Sequence, residues 1–339
     1  MELSRTINSD KRYYLDENTI ENAASFLQTM RVFNDAKMDL YNALYDQKYL
    51  ASGPLIDHAY PVFLKEKYKT NDYYNAAIYT AASGSISSQK ELKKYYSTTI
   101  TADLKTRDEK IQTIQEALDK KKAVKNSIRI YRKDGRWVTP YPRCQLKVKG
   151  LMIVLFNKTI VKLDEYERSV EADIRKLKTR LALVTEARKR KEKKLENIKN
   201  LPPERIVFGG KKLYSEKDTV GITKSAEDNK TSQKVLKEWK QEFFEKRHQS
   251  MALPGRHTSK YGNFLCKYDG KDLSVTCIDG TTTVFHDFKL PRYNEVFQNN
   301  FTCKLEDRQS ICYNFTVKRD RKNRQYIIVS VTMELQAYE

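Results

Sequence analysis

Apolar residues along this chain follow two periods, and the change from one to the other divides it. From Ile20 to about Tyr49, Phe26, Met30, Phe33, Leu40 and Leu44 recur at helical spacing behind Asn18 and Glu21, a capping-box pair. That spacing predicts one amphipathic helix. Gly53-Pro54, Pro61, a tyrosine-rich polar run (Tyr68, Tyr73, Tyr74, Tyr79) and the patch AASGSISSQ then predict shorter helices broken by turns, with helical character resuming at Glu91. Ile111, Ile114 and Leu118 share a face of a further helix from Asp103 to about Lys125. The segment SIRIYRKDGRWVTPY after it reads as two short strands around an Asp134-Gly135 turn, a basic hairpin.

The helical period returns from Leu163 to Lys199. Val170, Ile174, Leu177, Leu181 and Val184 alternate by four and three, and Leu195 and Ile198 resume the seam after RKRKEKK at 188–194. This predicts a long helix with coiled-coil spacing, paired with another helix of the same region and stopped by Pro202-Pro203. A lysine-rich connector and a short helix holding Trp239, Phe243 and Phe244 follow. Beyond it the period becomes two. Leu265, Tyr268, Leu273, Val275, Val284 and Phe285 flank hairpin turns at Asp269-Gly270 and Asp279-Gly280, and Ile327, Val329, Val331, Met333 and Leu335 alternate with Ser330, Thr332 and Glu334 in a strand with one wet face. The expected fold class is therefore α+β, helical first and closing on a small antiparallel β-barrel or curled sheet. Its expected divisions are a helical region over 1–126, a basic hairpin and apolar connector over 127–160, the long basic helix and a helical connector over 161–250, and strands over 251–339.

Charge sharpens this picture. The 339 residues carry 64 Lys+Arg against 44 Asp+Glu, a net +20, while 39% hydrophobic content is enough for folded domains. Lys105 to Ser215 alone holds 31 cations and 14 acids, a net +17. Charge so concentrated calls for a polyanionic partner or a solvated helix face, and nucleic acid is the stronger expectation. The longest apolar run, Leu151 to Phe156, is too short to span a bilayer, and the N-terminus MELSRTINSDKRYY lacks an apolar signal core, so no membrane partner and a cytoplasmic location are expected. Cys144, Cys266, Cys277, Cys303 and Cys312 stand too far apart for paired zinc thiolates or a disulfide framework, which leaves them as small buried hydrophobes. His58, His248, His257 and His286 are isolated, with surface or packing roles. No metal or cofactor is expected.

The candidate chemistry is phosphate contact and base stacking. Arg188, Lys189, Arg190, Lys191, Lys193 and Lys194 form the densest cationic run, and Lys211 and Lys212 follow Gly209-Gly210. Paired glycines either let backbone N–H groups approach a phosphate or make an ordinary connector turn. Arg129, Arg132, Lys133, Arg136 and Trp137 set four cations and an indole around the expected hairpin, where Trp137 is open between stacking and packing. Arg247, Arg256, Lys260, Tyr261 and Arg292 occupy expected loops, open between contact and solvation. Twelve of the 22 tyrosines lie in the first hundred residues, where packing in a helix bundle is favoured over stacking on bases.

The order of blocks narrows the reading. A basic helical middle is followed by RIVFGGKKL at 205–213, EWKQEFFEKR at 238–247, KYGNFLCKYDG at 260–270 and a lone terminal strand. Over roughly residues 105–335 this resembles the TnpB family, the OrfB proteins of insertion sequences, in the portion before the nuclease domain. The resemblance implies a non-catalytic part of an RNA-guided DNA endonuclease related to type V CRISPR effectors. Its helical recognition lobe and wedge-type β-barrel would hold a structured guide RNA and the guide–target DNA duplex. In that family cutting belongs to a RuvC-like domain after the barrel, with a zinc-binding insertion. Neither is expected within Met1–Glu339, and Asp269, Asp272 and Asp279 are read as turn residues rather than metal-holding acids. Two alternatives stand beside this: one half of a split nuclease whose partner chain carries the RuvC carboxylates, and a coiled-coil interaction protein without specific RNA.

Overall fold

The computed structural model describes residues 3–15, 19–52, 56–155, 157–222, 229–256, 258–259, 262–291, 295, 297–298, 312–320 and 326–335. They are mixed α+β, and the chain divides into two compact units, residues 1–88 with 204–339, and residues 89–203. The first unit is discontinuous in sequence.

That unit starts on two strands absent from the sequence reading, β1 (Leu3–Asn8) and β2 (Tyr13–Tyr14). The expected amphipathic helix follows as α1 (Ala23–Tyr45), continued by a π-helical turn at Asp46–Leu50, then α2 (Ile56–Tyr68) and the first turns of α3 (Asp72–Asp134). Asn18, half of the expected capping box, lies outside the described residues. After residue 204 come α5 (Lys211–Ile222), α6 (Asn229–Arg247), and strands β6 (Ser250–Leu253), β7 (Cys266–Tyr268), β8 (Leu273–Thr276), β9 (Thr282–Phe285), β10 (Tyr313–Arg319) and β11 (Tyr326–Leu335).

The strands make two antiparallel sheets. One runs β1-β11-β10-β6 with β2 beside β11, so the two ends of the chain meet in it, Ile7 opposite Val331. The other is the meander β7-β8-β9, folded at the Asp269-Gly270 and Asp279-Gly280 turns as expected. In each turn the Asp carboxylate accepts a backbone N–H two residues on, at 2.8 Å from Lys271 and 2.9 Å from Thr281. No closed barrel is found among the described residues; the expectation of one is corrected to two open sheets packed on a helical layer. Phe26, Met30, Phe33, Leu40 and Tyr41 of α1 share one core with Leu253, Phe285, Phe315, Val329 and Val331. The expected wet face of β11 is only partly so, since Ser330 is buried and donates to Asn8 Oδ1 at 2.7 Å.

The second unit is a helical hairpin closed by a small sheet. It comprises the rest of α3, then β3 (Lys147–Lys149), β4 (Met152–Val154) and β5 (Ile160–Lys162) in that sheet order, and α4 (Leu163–Asn200). The expected long helix and its Pro202-Pro203 stop are both present. Two expectations fail here and just before it. The turns expected around AASGSISSQ are continuous helix, because Thr80, Ser83 and Ser85 return their hydroxyls to the carbonyls of Ala76, Tyr79 and Ala81 instead of diverting the backbone. The basic hairpin expected at Asp134-Gly135 is the C-terminal end of α3. Val124, Ile128 and Tyr131 face the core at helical spacing, and Gly135 (φ 65°) stops the helix by donating its N–H to the Tyr131 carbonyl at 2.9 Å.

Candidate nucleic-acid interface

The second unit holds 31 Lys+Arg and 15 Asp+Glu over residues 89–203, a net +16 of the chain's +20. Its two helices run antiparallel, aligned by ion pairs along their length. Lys125 meets Glu171 and Lys121 meets Asp173, both at 2.6 Å, Arg188 meets Asp108, and Lys191 meets Asp103 at 3.2 Å. Arg132 reaches Glu167 at 2.7 Å and also Asp164. Between the helices Val170 and Ile174 are buried against Leu118, Val124 and Ile128, while Leu177, Leu181 and Val184 are half-buried. These contacts hold Asp103 and Glu171 below the usual carboxylate range, chiefly through the hydrogen bonds from Lys191 and Lys125, and raise Arg188 through Asp108.

The ion pairs sort the cationic run. Arg188 and Lys191 are held by the facing helix, and Arg190 pairs with Glu186 along its own helix at 3.2 Å. Lys189, Lys193 and Lys194 are exposed and form no ion pair among the described residues. Among the described residues eight of the unit's 31 cations form ion pairs, with nine of its 15 acids, which leaves 23 cations and six acids outside any ion pair. A surface with that imbalance attracts polyanions over a distance.

At the other end of the hairpin Arg129, Lys133 and Arg136 are exposed, whereas Arg132 is engaged as above. Trp137 packs edge-on against Tyr131, centroids 6.3 Å apart, and belongs to the rim of the core. Composition held a signal that the sequence reading missed. Gly135 to Lys162 contains no Asp or Glu and six cations, Arg136, Arg143, Lys147, Lys149, Lys158 and Lys162. The register places Lys149 beside Met152 and Met152 beside Lys162, so lysines and apolar side chains share the outer face of the sheet while Val148, Ile153 and Val161 take the inner one.

In the first unit Lys211 pairs with Glu204, Lys212 is exposed, and both open α5, whose first turn has no acid. The two glycines before them differ. A Cβ on Gly209 would lie 2.8 Å from Phe243 Cε2 and 2.9 Å from Arg247 Cγ, so this glycine permits close packing; beside Gly210 nothing lies within 4 Å. Both line a cleft of about 490 Å³ with Glu245, Lys246, Gln249, Arg319 and Asp320, a lining of mixed charge. Arg247 lies over the Phe243 ring with its guanidinium on the Met38 sulfur at 3.0 Å, a packing contact. Arg256 is exposed. Lys260, Tyr261 and Arg292 lie outside the described residues, as do Cys303 and His257.

Other reactive side chains are structurally engaged. Cys266 and Cys277 are buried, and burial pushes the Cys266 thiol far up. His248 is buried between the Phe244 carbonyl (2.6 Å) and Asp35 (2.9 Å). His286 is bracketed by Glu21 on Nε2 and Asp272 on Nδ1, opposite sides of the ring, so the two carboxylates do not converge on one point. Among the described residues no three His, Cys, Asp or Glu side chains form a group able to hold a metal ion, and no helix is long and apolar enough to cross a membrane. Compared with known proteins, the chain matches no family model, no curated protein and no solved structure.

Proposed function

We propose that this chain binds nucleic acid through its backbone, as the non-catalytic part of a TnpB-like RNA-guided nuclease. A structured guide RNA and the guide–target duplex are its partners in this reading. One observation carries it: six of the helical hairpin's 15 carboxylates tie its two helices together, and most of its cations form no ion pair among the described residues. Such a surface recognises phosphates by charge and position, which suits RNA read by shape, with sequence choice delegated to base pairing. The order of the blocks RIVFGGKKL, EWKQEFFEKR and KYGNFLCKYDG supports the family assignment. Cutting is assigned to no residue described above.

The test is to express the chain with its native flanking DNA, purify it in moderate salt and sequence the RNA that accompanies it. A discrete RNA with defined ends is expected. The variant Lys189→Gln/Lys193→Gln/Lys194→Gln should weaken its binding and flatten the plot of log affinity against log salt by about 2–3, since each lost phosphate contact removes roughly 0.7–0.9 of slope. Heterogeneous RNA, or a triple variant with unchanged affinity and slope, would overturn the assignment.

A further inference from the structure

Two tyrosines stand apart among the described residues. Tyr13, Tyr41 and Tyr74 are fully buried, Tyr60 stacks on Tyr79 with centroids 4.3 Å apart, and Tyr73 stacks on Phe264 at 4.5 Å. These are the packing roles expected for tyrosine in a helical layer. Tyr95 and Tyr96, at the start of the second unit, are 64% and 52% exposed. Their only ring contact among the described residues is with each other, centroids 5.8 Å apart at 60°, an edge geometry that leaves ring faces free.

Their surroundings are apolar at the centre and cationic at the rim. Leu92 precedes Tyr96 by one helical turn and is half exposed, and Leu201 is likewise exposed. Lys93 joins the two helices here, donating to the Leu201 carbonyl at 2.9 Å and the Lys199 carbonyl at 3.3 Å. Lys90, Lys94 and Lys199 are exposed, and Glu91 is the only acid from Lys90 to Ala102. In the next turn of the helix Thr98 and Thr99 return their hydroxyls to the carbonyls of Lys94 and Tyr95.

We infer that Tyr95 and Tyr96 form a stacking platform for unpaired bases, a single-stranded nucleic-acid site distinct from the phosphate-contacting lysines of α4. The inference rests on the nucleic-acid reading above. Free aromatic faces within a lysine rim match a ligand that carries flat π-surfaces and negative charge together, and a paired duplex hides its base faces while a single strand offers them. Stacking on one aromatic side chain strengthens binding by roughly 5- to 150-fold per base, and every base has such a face, so the site is tolerant of sequence.

The test compares two fluorescent 15-mers of equal phosphate number, oligo(dT) and an abasic backbone, on the full chain at fixed salt. Wild type should bind oligo(dT) at least about fivefold more tightly. Tyr95→Leu/Tyr96→Leu keeps apolar, helix-favouring side chains; it should lose that difference while binding the abasic strand as wild type does, with unchanged helical circular dichroism. Tyr95→Phe/Tyr96→Phe keeps the rings and should keep the difference. The platform is refuted if the leucine variant still prefers oligo(dT) as wild type does, or if the phenylalanine variant loses the preference equally, which would make the hydroxyls the contact. Should neither strand bind wild type, the nucleic-acid reading itself fails, a separate outcome.

Discussion

The adjacent glycines 209 and 210 permit a prediction in which one acts as the control for the other. Both have positive φ, 96° and 100°, so an alanine at either strains the backbone by roughly 1–2 kcal/mol. Only at Gly209 does the new methyl meet other atoms, and these atoms cannot yield easily. Phe243 stacks on Trp239 with rings 5.3 Å apart and 8° from parallel, and the Arg247 stem is held by its guanidinium on Met38. Overpacking against fixed neighbours costs about a further 1–3 kcal/mol. Gly210→Ala should therefore cost roughly 1–2 kcal/mol and Gly209→Ala roughly 2–5 kcal/mol. The chain has two tryptophans, one in each unit, so in a Trp137→Phe background Trp239 alone reports, from beside the substituted position. Urea unfolding followed by its emission gives both values. If Gly209→Ala is no more costly than Gly210→Ala, the close packing at Phe243 is not what requires glycine, and backbone approach to a phosphate regains its place.

Three further outcomes are expected. Ile128 is fully buried in the core of the second unit, so Ile128→Ala should cost about 2–5 kcal/mol, read by Trp137 emission in a Trp239→Phe background; a cost below about 1 kcal/mol would contradict that core. Tyr74 donates its buried hydroxyl to the Thr276 carbonyl at 2.7 Å, tying α3 to β8, so Tyr74→Phe should cost about 1–3 kcal/mol in the Trp239 transition and leave the Trp137 transition unmoved. Asp103, Asp119 and Glu171 are held below the ordinary carboxylate range by hydrogen bonds from Lys191, Gln115 and Lys125, so their contribution is complete above an unfolded-state pKa of about 4 and is lost as pH falls through the lower folded values. The second unit should accordingly lose stability below about pH 4, and a urea midpoint for Trp137 emission that holds or rises there would remove these contacts from the account.

Where one element supplies its own reason to form, the sequence was a sufficient guide. The helical spacing of Phe26, Met30 and Phe33 marked α1, the seam from Val170 marked α4, and the Asp-Gly pairs marked both turns of the β7-β8-β9 meander. It misled where a turn or strand preference lost to the helical hydrogen bonding and packing of α3. Ser, Thr and Gly between residues 80 and 88 favour turns in isolation, yet they continue α3, and the alternation of Ile128 and Ile130 reads as strand although Ile128 is buried at helical spacing from Val124. β1 was illegible because its partner β11 lies more than 300 residues away and its own residues are largely polar. Of the candidate site, the cations were visible by count. Their ion pairs were not, since Arg188 meets Asp108 across 80 positions.

Those pairs govern how salt dependence must be read. Paired residue numbers across the hairpin add to a nearly constant value, from 294 for Lys191 with Asp103 to 299 for Arg132 with Glu167, so one antiparallel register holds through the alignment. Exposed pairs of this kind are each worth about 0–1 kcal/mol and weaken with ionic strength. Salt therefore acts twice on the second unit, on any phosphate contact of Lys189, Lys193 and Lys194 and on the pairs that align the helices beneath them. The half-buried seam at Leu177, Leu181 and Val184 bears the alignment when the pairs weaken. Affinity that falls with salt while Trp137 emission stays constant reports phosphates released from a folded hairpin. A fall in both reports a surface that has lost its shape, and a slope taken from that range would count phosphates that were never bound.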